Sequence, residues 1–239
     1  MRVFIVHAHP EPSSLNGALT RTATEALLQA RHEVVVSDLY AMGFDPVSDR
    51  RNFVTVSDAS RLRQQAEEAY ASSHDGFSPL LQAEMDKLEA CDVLIFQFPL
   101  WWLGLPAILK GWVDRVFAVG RAYGGGRYFS RGIFAGKRAL CSVTIGGSAA
   151  AYSEAGAYGP LENILYPIQH GILAFVGFDV VEPFVVHEPA RIAPARRADL
   201  LQRYRARVFA LDQAPVKQPL DVAAFDGLVR RAQAVAPAR

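Results

Sequence analysis

Apolar residues fall along this chain in two alternating rhythms. Short unbroken runs, rich in β-branched residues, read as strands: "VFIVHAH" at 3–9, "HEVVVSDLY" at 32–40, "DVLIFQF" at 92–98, "RALCSVTIG" at 138–146 and "DVVEPFVVH" at 179–187. Between them the spacing turns helical. Residues 16–30 place Leu19, Ala23, Leu27 and Leu28 near one face, and "LLQAEMDKLEAC", "PAILKGWVDRVF", "ENILYPIQHGILAFVG" and "PARRADLLQRYRARVFAL" follow at 80–91, 106–117, 162–177 and 194–211. Pro106 opens the third of these helices, a position where its missing N–H costs nothing.

Continuous apolar strands separated by helices predict a parallel sheet covered on both faces. Five strands in this order suit the flavodoxin-like, doubly wound α/β arrangement, with strand order 2-1-3-4-5. Such sheets bind ligands beyond the carboxyl ends of the strands, where the winding reverses. That rule singles out "HAHPEPSSLNG", "PLWWLG" and "TIGGSAAAYSEAGAYG", the segments after strands one, three and four. Two longer stretches interrupt the alternation: a polar one at 41–78, with a helix expected at 61–70, and a glycine-rich loop at 120–132. The expected organisation is one flavodoxin-like domain over residues 1–212, with an arm over 213–239 lying on the surface or on a partner subunit.

Composition changes this picture little. A net charge of +1 over 239 residues gives no sign of a nucleic-acid partner or an anionic membrane surface. The apolar stretch at 93–109 contains Gln97, Pro99 and Pro106 and falls short of the roughly 20 apolar residues of a span. Cys91 and Cys141 each sit in an apolar run, with no CxxC or Cys/His spacing for zinc. Two buried thiols and an N-terminus without a leader pattern predict a soluble, cytoplasmic protein.

The three singled-out segments carry the candidate chemistry. No GxGxxG or Walker pattern follows strand one; instead His9, Ser13, Ser14 and Asn16 stand at the mouth of a helix. Hydroxyls, an imidazole and free helix N–H groups there suit an anion, although Ser14 or Asn16 also reads as a simple helix cap. His7 and His9 share a strand face but lack a third ligand, so no metal is expected. After strand three, Pro99, Leu100, Trp101, Trp102 and Leu103 lie past the cover of the sheet, where exposed indoles call for something flat to cover them. After strand four, Gly146 and Gly147 allow a ligand close to the backbone, and Tyr152 and Tyr158 offer hydroxyl donors. "GGSAA" is not a nucleophile elbow, and no carboxylate pair stands out. An anion site, stacking aromatics and backbone amides without a nucleophile fit a cofactor that carries the chemistry itself.

These segments resemble the NAD(P)H:quinone oxidoreductase family, the DT-diaphorase type of flavodoxin-like flavoprotein. "AHPEPSSLNGAL", "SDLYAMGFDP", "KLEACDVLIFQFPLWWLGLPAILKGWVDRVF", "TIGGSAAAYSEAGAYG" and "ILYPIQHGILAFVGF" carry the resemblance in order over residues 3–208. It implies a bound FAD rather than FMN, a homodimer with two active sites at the interface, and two-electron ping-pong transfer of hydride from NAD(P)H through FAD to a small-molecule quinone. It implies that His9, Ser14, Leu15 and Asn16 hold the phosphates and ribityl chain, and that Pro99, Leu100, Trp101, Trp102 and Leu103 line the isoalloxazine. Trp102 and Leu103 would also border the quinone. Thr144, Ile145, Gly146 and Gly147 would bond the pyrimidine edge, with Tyr152 near flavin N1 and O2. Tyr123 and Phe178 would reach the substrate from the other subunit, and Arg197 would lie near the adenine.

The departures bear on the chemistry. The vertebrate enzyme has a histidine where this chain has Tyr158, so a hydrogen-bond donor replaces a potential positive charge, with Tyr152 and Tyr158 as the expected catalytic pair. Gly125 and Ala151 replace larger pocket residues and widen the pocket. Competing readings on a similar scaffold are a flavin-containing regulatory subunit of a potassium-efflux system, an azo, nitro or FMN reductase, and a passive electron carrier, the last at odds with a long, near-neutral chain.

Overall fold

The computed structural model describes residues 1–226 and 229–230. Its main sheet is built from β1 (Arg2–His7), β2 (Glu33–Asp38), β3 (Val93–Pro99), β4 (Arg138–Ile145) and β5 (Asp179–His187), all parallel, in the expected order 2-1-3-4-5. A sixth strand extends it: β6 (Val216–Lys217) pairs antiparallel with β5. It belongs to the stretch expected as an arm, and Arg138 also ties that stretch down by donating to the carbonyls of Leu211 and Ala214. The end of the expected arm, at 231–239, lies outside the described residues.

Both faces of the sheet are covered, which explains the unbroken apolar runs. Helices α1 (Leu15–Gln29) and, late in the chain, α6 (Pro194–Phe209) pack together over Val3, Ile5, Val93, Ile95 and Leu140. The opposite face carries α2 (Gln64–Ser73), α3 (Pro79–Ala90), α4 (Ala107–Val116) and α5 (Leu161–Ile168) over Phe4, Phe96, Phe98 and Cys141. Trp112 of α4 is fully buried there, its indole N–H donating to the buried Glu84 carboxylate at 2.8 Å.

Three elements differ from the sequence pattern, each for a local reason. Helix α2 begins three residues later than expected, because the Asp58 carboxylate accepts from the N–H groups of Ser60 and Arg61 and forms a turn there instead. The helix expected at 162–177 breaks after α5: Pro167 removes a backbone donor, and Gln169–Ala174 widen into a π turn. Cys91 caps the end of α3 rather than lying in a strand, whereas Cys141 is in β4. Burial pushes both thiols up to about 12, so neither is a reactive thiolate.

The long polar stretch after β2 is pinned from beneath. Buried Glu67 accepts from the N–H groups of Ser57 and Asp58 at 2.8 Å each, and buried Arg115 donates to Asn52 and to the Asp45 carbonyl. Among the described residues no helix is long and apolar enough to cross a membrane.

His7, at the end of β1, is buried against Thr20 of α1, with its Nδ1 2.8 Å from the hydroxyl. Burial holds its pKa below the ordinary 6.5, more than the nearby Asp38 raises it. The unfolded chain therefore binds this proton more readily, and stability falls as pH drops through the unfolded value of about 6.5. His170, also lowered by burial, acts with the same sign. Urea unfolding from about pH 8 to about pH 5 should show this slope, and His7→Gln should remove part of it; an identical slope in the variant would exclude His7 as the source.

Candidate active site

The carboxyl ends of β1, β3 and β4 meet the N-terminus of α1 at a cleft of about 490 Å³. A buried hydrogen-bond network sets its floor. The Asn16 amide donates to the Thr144 hydroxyl at 2.9 Å, and its carbonyl oxygen accepts from the Gln97 amide at 2.8 Å. The hydroxyl of Tyr204, on α6, reaches the Gln97 oxygen at 3.4 Å. The Asn16 side chain is thus spent on the fold, and what it offers the cleft is its backbone N–H.

Ser14 caps α1 by accepting from Gly17 N–H at 3.1 Å. Among the described residues the N–H groups of Leu15 and Asn16 find no partner, which leaves the helix N-terminus ready for an anion. His9 leans over this end. Its Nδ1 lies 3.0 Å from Glu11 N and 3.3 Å from the Glu11 carbonyl oxygen, which ties the ring to the loop after β1. Arg197 closes the far side with Pro189 and Ala190, two cleft residues whose only sequence signal is their position after a strand.

At the other end of the cleft stands the aromatic turn. Trp101 and Gly104 exchange backbone hydrogen bonds at 3.2 and 3.0 Å, closing a two-residue turn over Trp102 and Leu103. Both central residues are left-handed, at φ 51° and 57°. Asn-Gly is the usual occupant of that mirror-image turn, because side chains beyond Asn and Gly strain it. Trp102 is nevertheless fully exposed, with Trp101 and Leu103 exposed beside it. The fold holds an apolar knob in a strained backbone, a pattern that belongs to binding sites.

Opposite the turn, Gly146 and Gly147 leave β4 with no partner for either N–H among the described residues. A side chain at Gly146 would meet nothing, so that face is open, whereas at Gly147 a Cβ would sit 2.9 Å from the Tyr152 ring. Tyr152 therefore packs closely against this backbone. Its ring is 4.9 Å from that of Tyr158 and 5.9 Å from that of His187. Burial, with Tyr158 adding to it, raises the Tyr152 pKa, so its hydroxyl stays a donor at neutral pH.

The cleft thus gathers His9, Ser14, Leu15, Asn16, Pro99, Leu100, Trp101, Thr144, Gly146 and Arg197. The remaining expected positions divide. Trp102, Leu103, Gly147, Tyr152 and Tyr158 border the cleft without lining it. Ile145 buries its side chain fully and gives its carbonyl to Glu188 N–H, so only its backbone borders the site. Tyr123 lies in a separate recess of about 500 Å³, where its hydroxyl accepts from Gln65. Phe178 must be corrected: it is fully buried, stacked on Phe134 at 4.9 Å, and reaches no pocket. The ring that lines the recess with Tyr123 is Phe175, 5.9 Å away. Between the two phenylalanines the chain reverses at Gly177, φ 109°, which turns Phe178 into the core. A larger cavity of about 680 Å³ lies along the π turn, β5 and β6, away from the strand ends and from these donors. No cluster of three or more metal-ligating side chains occurs among the described residues.

A family model described as flavodoxin-like fold matches residues 1–208. NAD(P)H dehydrogenase [quinone] 1 of Rattus norvegicus is 43% identical over 208 residues, 87% of this chain and 76% of its own length. Ribosyldihydronicotinamide dehydrogenase [quinone] of Homo sapiens is 37% identical, covering 87% of this chain and 90% of its own. Among solved structures, a Klebsiella pneumoniae protein superposes with a TM-score of 0.87 at 42% identity, covering 90% of this chain and 86% of that one. NAD(P)H:quinone oxidoreductase of Methanothermobacter marburgensis gives 0.70 at 26% identity, with 89% and 96% covered.

Replacing Trp102 by Asn and Leu103 by Gly should relieve the left-handed strain and stabilise the fold by about 1–2 kcal/mol. Urea unfolding measures this; a variant less stable than wild type would show that the two side chains are packed rather than held out. Asn16→Ala should instead cost about 1–3 kcal/mol by stranding the Gln97 amide.

Proposed function

We propose, from the premise that the chain belongs to the NAD(P)H:quinone oxidoreductase family of flavodoxin-like proteins, that it is a flavin-dependent oxidoreductase passing hydride from NAD(P)H to quinones. The observation that carries this reading is the continuity of the site. One cleft runs from an unpaired helix N-terminus to Trp101 at the base of the exposed turn and to Gly146, whose N–H is unpaired, and no nucleophile–base pair lines it.

A flavin fits these residues. Leu15 and Asn16 N–H groups, with the His9 imidazole, would hold its phosphates; Gly146 and Gly147 N–H groups would bond the pyrimidine edge; Trp101, Trp102 and Leu103 would cover the ring. The cleft extends past the helix terminus to Arg197, which favours FAD over FMN. Bound there, the flavin supplies the hydride chemistry. The chain's own residues orient it, exclude water over the indole turn and hold hydroxyl protons at Tyr152 and Tyr158.

The working unit we propose is a homodimer. A second copy would cover Trp102 and Leu103 with its own recess of Tyr123 and Phe175, completing a quinone pocket between subunits. Two free, buried thiols support a reducing, cytoplasmic setting.

Purified protein should release FAD on denaturation. Anaerobic titration with NADH, NADPH and dihydronicotinamide riboside should bleach it, and a quinone should restore the colour. A preparation that takes up neither FAD nor FMN sinks the reading. Tyr152→Phe with Tyr158→Phe should leave FAD bound and slow its reduction by about 10²–10³ in single-turnover kinetics. Unchanged kinetics would remove both tyrosines from the chemistry.

A further inference from the structure

The fifth strand brings one more group to this site. His187 is the last residue of β5, level with Ile145 at the end of β4, and its Nδ1 lies 3.1 Å from the carbonyl oxygen of Gly147. A carbonyl only accepts, so Nδ1 carries a proton and donates it. The contact fixes the tautomer: in the neutral ring Nε2 is left with a free lone pair, and protonation at Nε2 gives an imidazolium without breaking the bond. The other face of the cluster is Tyr152, 5.9 Å away ring to ring, and beyond it Tyr158. Next in the chain, the Glu188 carboxylate is engaged by Arg191 at 2.6 Å.

Neither tyrosine can carry positive charge, and His187 can. On the flavin reading of the site, we propose that His187 is a positioning residue that holds the Gly146–Gly147 turn through the Gly147 carbonyl and, whenever its open Nε2 takes a proton, places positive charge at that turn. The two roles have separate consequences. The hydrogen bond orients the two free N–H groups in either protonation state. The charge favours the anionic reduced cofactor over the neutral oxidised one, and so raises the potential of the bound flavin.

Two variants separate these roles. His187→Asn keeps a side-chain N–H near the Nδ1 position and loses the charge; His187→Phe keeps a flat ring and loses both. The FAD-loaded proteins are compared by the affinity of oxidised FAD and by the midpoint potential of the bound flavin. In His187→Asn, oxidised FAD should bind within about twofold of wild type, while the potential moves negative and reduced FAD binds about tenfold more weakly. In His187→Phe, oxidised FAD should also bind about five- to tenfold more weakly, through the lost hydrogen bond. In the cofactor-free protein, ring nitrogen NMR should find the His187 proton on Nδ1. A neutral ring protonated on Nε2 instead, or unchanged potentials and affinities in both variants of a wild type that binds FAD, overturns the role of His187 alone. If His187→Phe does not fold, the potential of His187→Asn decides. A wild type that takes no FAD overturns the flavin reading and this inference with it.

Discussion

Every feature of the cleft hangs on the buried contact of Asn16, Gln97 and Thr144. It joins the first turn of α1 to the middle layer of β3 and the end of β4, and Tyr204 extends it to α6. Polar side chains inside an otherwise apolar sheet are costly unless paired, and here the pairing admits one register. With it in place, the helix N-terminus, the indole turn and the glycine pair face one space. Without it, α1 could slide along the sheet and the unpaired N–H groups would no longer converge.

That fixed floor lets the rim carry strain. Trp102 and Leu103 occupy backbone conformations that cost free energy and expose apolar surface that water disfavours. Neither feature helps the isolated chain to fold. Both would be offset if a flat ring or a second copy covered the turn, as the proposed flavin site and dimer require. The recess of Tyr123 and Phe175 has the matching character: an aromatic hollow of similar scale, anchored by Gln65 and by the core behind it.

Beyond the ends of β4 and β5, the group beside Gly147 is built from hydrogen-bond donors rather than from a carboxylate acid–base pair. Tyr152 rests on the Gly147 backbone, Tyr158 packs on Tyr152, and His187 grips the carbonyl of the same glycine from the neighbouring strand. Three side chains from two segments thus cluster at this turn. Small movements of Gly147 would reach all of them, which makes this turn the sensitive point of the site.

Much of this was legible in order along the chain. Unbroken apolar runs dictated a two-sided parallel sheet, Pro106 marked a helix start, and the rule that ligands sit beyond strand ends found the three segments that line the cleft. Those signals are local, set by side-chain period and backbone chemistry. What the sequence could not decide was which way a residue faces once a helix loses its period. Phe175 and Phe178 are equivalent to a periodic reading, yet the π turn after Pro167 and the reversal at Gly177 send one to the recess and the other into the core. His187 escaped for a related reason: its meaning lies in a contact with Gly147, 40 positions away, that only the pairing of β4 with β5 creates. Period and composition determine the elements; the register between distant strands decides which atoms meet.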